Sequence, residues 1–179
     1  VTMSTKERFL TYIAFDTQSN PNSETFPSTE RQKRLGEHLV EELRKLGIDN
    51  AYLDQYGYVY GFFPTNRNSK LTVGLIAHMD TAQEMPGQCL NPKIIANWQG
   101  EDIKLENGLV LSTKAFPILN KYLGHELITT DGTTLLGADD KSGIAIIMDA
   151  IHQLVKEDLP RPNVMVVFTP DEEIGQGTK

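Results

Sequence analysis

Leu71-Thr-Val-Gly-Leu-Ile-Ala-His78-Met-Asp80 runs largely apolar from Leu71 to Ala77 and then stops on an imidazole and a carboxylate. The polar residues 66–70 bound it on the other side. A short apolar run with Val and Ile suits a strand buried on both faces, as in the parallel sheets of α/β proteins. Such a strand has no structural need to finish in His-x-Asp. In open α/β sheets ligands bind beyond the carboxyl ends of the strands, so chemistry is expected there. His78 and Asp80 are two residues apart, and strand periodicity turns both to one side. From there the carboxylate can hold one imidazole nitrogen and leave the other free for a metal or a proton.

Outward from this strand the same pattern recurs. Val164–Thr169 reads as a second continuous apolar strand, and it too ends in acid, at Pro170-Asp171-Glu172-Glu173-Ile-Gly175. Gly137-Ala-Asp139-Asp140-Lys-Ser-Gly143 leads into a helix carrying Ile144, Ile147, Met148, Ile151, Leu154 and Val155. That helix is apolar nearly all round at its start, which predicts deep burial. Nearer the N-terminus, Ser4-Thr-Lys-Glu7 has capping-box spacing, with Phe9, Tyr12 and Ile13 following at helical intervals. Thr29-Glu-Arg-Gln32 opens a second helix with a stripe of Leu35, Leu39, Leu43 and Leu46, stopped by Gly47.

Ala51–Leu53 and Tyr58–Phe63 read as strands on either side of a turn at Gly57. Residues 84–126, with Pro86, Pro92 and Pro117, read as loops holding one or two edge strands and a short helix near Phe116–Leu123. Glu126–Leu136 is strand-like on both sides of Asp131-Gly132, a hairpin signal. Helices and strands alternate without an internal repeat. The expected class is α/β, a mixed, largely parallel sheet flanked by helices.

The 179 residues suggest one domain with a substantial core. A formal charge of -7 disfavours nucleic acid, which selects a basic face, and suits acidic groups gathered around a cation. Cys89 is the only cysteine, so no internal disulfide is expected. The polar start lacks a signal-peptide core, and no apolar run approaches the roughly 18 residues of a membrane span. A cytoplasmic protein with no membrane partner is expected.

Three segments thus end in histidine or acid where apolar structure stops: His78-x-Asp80, Asp139-Asp140 and Asp171-Glu172-Glu173. Singly, each has a plain reading. An acid pair after a strand is commonly a solvated turn, and Asp139-Asp140 can serve as a helix N-cap. Together, a parallel sheet would bring them to one edge, where carboxylates repel unless protonated or bridged by cations. Imidazole with carboxylates is a zinc-type ligand set, and a bridging carboxylate suggests two metals about 3.5–4 Å apart. Of Glu172 and Glu173, one can ligate and the other act as general base. No G-x-S-x-G, Walker A or G-x-G-x-x-G run competes, and Cys89 has no activating partner.

Ala-His78-Met-Asp80-Thr, Leu-Gly-Ala-Asp139-Asp140-Lys-Ser-Gly and Thr-Pro-Asp-Glu172-Glu173-Ile-Gly resemble the motifs of the di-zinc exopeptidases related to carboxypeptidase G2. More narrowly, Pro27-Ser-Thr-Glu, Asn91-Pro-Lys-Ile, Leu127-Ile-Thr-Thr-Asp-Gly and the Thr133–Gly143 segment resemble the N-terminal part of the bacterial tripeptide aminopeptidase family. The resemblance covers essentially the whole chain. It implies a metallo-aminopeptidase that releases the N-terminal residue of a small peptide substrate with two Zn2+ per complete site. By the same resemblance His78 ligates one zinc, Asp80 orients His78, and Asp139 bridges the two zincs, with a strained peptide link to Asp140. Glu172 is the implied general base and Glu173 the ligand of the second zinc.

The family further uses an aspartate, a distant histidine and a lid domain not found in these residues. Residues 1–179 are therefore expected to be the N-terminal portion of the zinc-binding catalytic domain, with any oligomer contacts outside them. Three of the family's five protein ligands predict weak zinc binding and no turnover by this chain alone. A carboxypeptidase, dipeptidase or N-acyl amino acid deacylase of the same superfamily shares these motifs, and a non-catalytic binding module is the alternative from another class. His38, His125 and His152 fall outside the motifs and read as surface or half-buried. Trp98 and Tyr52, Tyr56, Tyr58 and Tyr60 read as packing, Cys89 as a small neutral residue, and Met79 as pointing into the core.

Overall fold

The computed structural model describes residues 3–179. α1 (Thr5–Ile13) begins with the capping box expected of it: Glu7 N–H donates to Ser4 Oγ at 3.1 Å and Ser4 N–H to Glu7 Oε2 at 2.7 Å. Such a cap stabilises a helix by about 1 kcal/mol. α2 (Gln32–Lys45) buries Leu35, Leu39 and Leu43 completely, and Gly47 ends its final turn at φ +98°. Each fully buried leucine contributes roughly 1.5–3 kcal/mol by leaving water. α3 (Ala138–Lys156) buries Ile144, Ala145, Met148 and Ile151. It is less enclosed than its composition predicts, because one side faces solvent with Ile146 60% exposed.

Four strands form the main sheet: β1 (Tyr52–Leu53), β2 (Val59–Phe63), β3 (Thr72–His78) and β8 (Asn163–Thr169), in the order β1-β2-β8-β3. The sheet is mixed, but less parallel than expected. β3 runs parallel to β8, whereas β2 pairs antiparallel with both β8 and β1. β8 takes the central place, and β3 lies at the edge. The core of the three helices packs against Val59, Phe63, Ala77, Val164, Val166 and Phe168, which share one face of the sheet. β3 is therefore not buried on both faces: Ile76, beside Val167 on the opposite face, is 68% exposed. The cause is topological. All three helices gather on one face of a sheet in which β3 has a single neighbour.

Residues 84–136 make a lobe with its own small core. β4 (Lys93–Ile95) pairs antiparallel with β7 (Leu127–Thr129), and β5 (Ile103–Lys104) with β6 (Val110–Leu111). Trp98, Ile103 and Leu105 are buried between them, with Leu119 of the 3-10 turn Pro117–Tyr122 packed alongside. The hairpin expected at Asp131-Gly132 does not form. The Asp131 carboxylate accepts from Thr133 N–H at 2.8 Å and from its hydroxyl at 2.6 Å, and this local turn replaces a second strand. Met79 and Trp98 are fully buried and Cys89 nearly so, whereas Tyr52 and Tyr56 are half exposed and only Tyr58 of that group is buried. Among the described residues no helix is long and apolar enough to cross a membrane.

Candidate metal centre

β3 and β8 run parallel and in register, so His78 lies beside Thr169 and both strands finish at the same level. Met79 N–H donates to Thr169 O at 2.8 Å, prolonging the pairing past the strand end. The backbone thereby delivers His78 and Asp80 from one strand, and Asp171, Glu172 and Glu173 from the next, to one edge. The start of α3 brings Asp139 to the same place. His78 Nε2 lies 2.8 Å from Asp139 Oδ1 and 3.5 Å from Glu172 Oε2. Its Nδ1 lies 3.2 Å from Asp80 Oδ1 and 3.0 Å from the Asp80 carbonyl.

Asp80 has no exposed surface, and its carboxylate has a second task. Oδ1 accepts the N–H of Glu172 at 2.9 Å and Oδ2 the N–H of Glu173 at 3.1 Å. One buried side chain thus touches the imidazole and pins the main chain of the acidic pair. Two nearby acids are open to solvent: the side chains of Asp139 and Glu172 are 85% and 55% exposed. Burial works against a charged His78, but the hydrogen bonds to Asp80 and Asp139 outweigh it and raise its pKa to about 9. Burial raises the Glu173 carboxyl, opposed by His78 and reinforced by Asp139, Asp80 and Glu172.

His78, Asp139 and Glu173 each offer a ligand-type atom, and these atoms lie within 4.8 Å of one another. One imidazole nitrogen and two carboxylates are donors that zinc accepts. With Asp80 at Nδ1, the Nε2 side of the ring faces the carboxylates, the second-shell arrangement common to metal-bound histidines. The donor set therefore fits the metal that the motifs imply.

Asp139 reaches this position because the helix proper starts after it. Gly137 takes a left-handed φ of +88°, Asp139 and Asp140 have non-helical backbone angles, and the peptide between them is cis. The capping role belongs to Asp140, whose Oδ1 accepts Gly143 N–H at 3.2 Å, and not to Asp139. A Cβ at Gly143 would press on the Asp140 carboxylate, so a larger residue there would have to turn that carboxylate off the cap.

Sequence patterns gave no sign of several buried polar groups around the centre. Lys141 has no exposed surface and donates to the Phe15 carbonyl at 2.9 Å, with burial depressing its pKa to about 8. Asp171 is equally buried and is held by Ser28 and Gln32. Gln32, expected only as a helix opener, turns its amide to Asp171, and α2 has no side-chain cap. The other histidines stay apart from the centre: His38 sits against Glu42, His152 accepts from Arg8 at 2.8 Å, and His125 is exposed.

Comparison with known proteins adds to this geometry. The sequence profile of Peptidase family M20/M25/M40 matches residues 129–179, a stretch that contains Asp139, Glu172 and Glu173. Peptidase T of Halothermothrix orenii is 50% identical over 175 residues, which are 96% of this chain and 43% of the relative. Peptidase T of Bacillus pumilus is 49% identical, with the same shares covered. The chain spans less than half the length of these relatives. In fold it is similar to the crystal structure of aminopeptidase PepT from Bacillus cereus, with a TM-score of 0.64 and 21% identity over 94% of this chain and 36% of that one. A tripeptidase from Staphylococcus aureus gives a TM-score of 0.61 at 21% identity, covering 96% of this chain and 37% of that one.

Proposed function

From a chain that matches the N-terminal part of peptidase T along nearly its whole length, we propose a zinc-dependent aminopeptidase that releases the N-terminal residue of tripeptides in the cytoplasm. In this reading residues 1–179 are the N-terminal portion of the catalytic domain. The observation that carries it is the meeting of His78, Asp139 and Glu173 within 4.8 Å, each from a different element. His78 and Asp139 would hold one zinc, and Asp139 and Glu173 the other. When bound, zinc supplies Lewis acidity toward the scissile carbonyl and the attacking water. Glu172 stands over this group with its carboxylate open to solvent and 3.5 Å from His78. It accepts the proton of the attacking water and passes it to the leaving amine. Asp80 keeps Nδ1 of His78 engaged so that Nε2 stays on the side of the two ligand acids.

These residues offer each zinc two protein ligands, below the three or four that zinc ordinarily takes. The same reading therefore has the 179-residue chain bind zinc weakly and not turn over alone. The test is to give the full-length enzyme an unblocked tripeptide of three different residues and identify the first product by mass. Release of the N-terminal residue, abolished by a chelator and restored by zinc, is expected. Release of the C-terminal residue would move the enzyme to the carboxypeptidases. An intact tripeptide would leave deacylation of N-acyl amino acids or a binding role.

A further inference from the structure

The acid turn Asp171–Ile174 must place two carboxylates that have no hydrogen bonds of their own to position them. Among the described residues, no hydrogen bond is made by the side chain of Glu172 or Glu173; Glu172 only approaches His78 at 3.5 Å. Their positions therefore depend on the backbone beneath them. That backbone is held by Asp80, through the N–H groups of Glu172 and Glu173. The residue that precedes them, Asp171, belongs neither to the ligand group nor to the solvent.

Asp171 has no exposed surface and a left-handed φ of +55°. A non-glycine residue in that region costs roughly 1 kcal/mol, so its surroundings must impose it. Its Oδ1 accepts from the Ser28 hydroxyl at 2.6 Å and from Gln32 Nε2 at 2.7 Å, and its Oδ2 accepts from Ser28 N–H at 2.7 Å. Its own N–H donates back to Gln32 Oε1 at 3.1 Å. Gly57 packs without a Cβ against Pro27 and Pro170, the residues preceding Ser28 and Asp171. Among the described residues no cation is paired with the carboxylate, and its partners there are neutral donors. A buried acid of this kind is a costly way to stabilise a fold, and an apolar residue would serve packing better. Its geometric effect is specific: it ties the residue before Glu172 to the loop and helix start at residues 28–32, far away in sequence.

We infer that Asp171, gripped by Ser28 and Gln32, is a positioning residue that sets where Glu172 and Glu173 stand. Resting on the zinc reading above, the inference adds that the 28–32 segment controls the metal centre through this one side chain. Asp80 holds the amides of Glu172 and Glu173 while Asp171 ties the residue before them to Ser28 and Gln32, and neither clamp is sufficient alone. Asp171→Asn keeps the size and the contacts to Oδ1, but turns an N–H toward the Ser28 N–H, so one donor is lost to a donor–donor clash.

The first test needs no metal. Amide hydrogen exchange of the metal-free full-length enzyme, read residue by residue, should show Glu172 and Glu173 exchanging at least tenfold faster in Asp171→Asn. The amides of Val166 and Phe168 in β8 should be unchanged. Ser28→Ala should reproduce the effect and Ser28→Thr should largely restore protection. Uniform acceleration across β8 would show a merely structural residue, and unchanged exchange at Glu172 and Glu173 would overturn the inference. The second test is a zinc titration of the same enzyme. Asp171→Asn should weaken zinc by about 10–100-fold, the usual cost of losing an outer-shell partner. In a Glu173→Gln background the same change should add little, because the two act through one ligand. Full additivity would overturn the inference. If the unsubstituted full-length enzyme takes up no zinc, the metal reading fails, and the exchange experiment still decides the role of Asp171.

Discussion

Two layers of carboxylates meet at the edge where β3 and β8 end, and they are built on opposite principles. In the lower layer Asp80 and Asp171 have no exposed surface, and both oxygens of each are taken up by hydrogen bonds. In the upper layer the side chains of Asp139 and Glu172 are 85% and 55% exposed and have few protein partners. A carboxylate that is buried with both oxygens already hydrogen-bonded is poor chemistry and good architecture, since solvent and cations do not reach it. A carboxylate left open is a usable ligand or base, but it must be placed by something else. Asp80 holds the main chain of Glu172 by its N–H, whereas Asp139 is set by the irregular start of α3. Burial thus divides these acids into hydrogen-bonded anchors and open carboxylates.

The largest effect should come from the upper layer. Glu172→Gln in the full-length enzyme should lower kcat by about 10²–10⁴-fold, the usual worth of a general base, while zinc content by atomic emission stays unchanged. Lost zinc would exchange the roles given to Glu172 and Glu173. In the lower layer, Asp80→Asn should cost about 10–100-fold in zinc affinity, because it disturbs the His78 ring and one of the two pinned N–H groups together. Equal effects of Asn and Ala at position 80 on zinc affinity, measured by chelator competition, would mean that the ring needs no orienting partner.

Between the layers stands His78, whose pKa is raised to about 9 from an ordinary 6.5. Protonated His78 therefore stabilises the metal-free fold fully below pH 6.5, and that contribution disappears as pH rises through about 9. Zinc requires the neutral ring, so it competes with this proton. Apparent zinc affinity should rise about tenfold per pH unit between pH 7 and 8.5 and release one proton from His78, measurable by calorimetry in two buffers. A flat profile would remove the ion pairs with Asp80 and Asp139 from the account. The smallest effect belongs to Asp140, which borders both layers but only caps a helix: Asp140→Ala should cost about 1 kcal/mol in urea unfolding. A much larger loss would make it part of the lower layer.

Much of this was legible along the chain. The capping box at Ser4, the leucine stripe of α2 and the two apolar strands are local signals, written within one or two turns or a single strand. The placement of His78, Asp139, Glu172 and Glu173 at element ends was equally visible, since apolar structure stops at each. Asp131-Gly132 shows the limit of such reading. Thr133 supplies a donor pair to Asp131, and a side-chain turn outcompetes the hairpin that the dipeptide predicts. The exposed outer face of β3 was also hidden, because burial of a strand depends on how many neighbours the topology gives it.

By itself, the sequence determined the types of elements, their order, and which chemical groups stand where each apolar segment ends. Short-range periodicity and capping suffice for that. The tertiary structure alone decided which acids became anchors. Asp171 meets Ser28 across 143 residues of chain and Asp80 meets the Glu172 amide across 92. No local pattern encodes such partners, because they are chosen when the parallel pairing of β3 with β8 and the packing of α2 bring distant backbone into one place. Composition put the carboxylates into the chain, and packing determined which of them stayed in water.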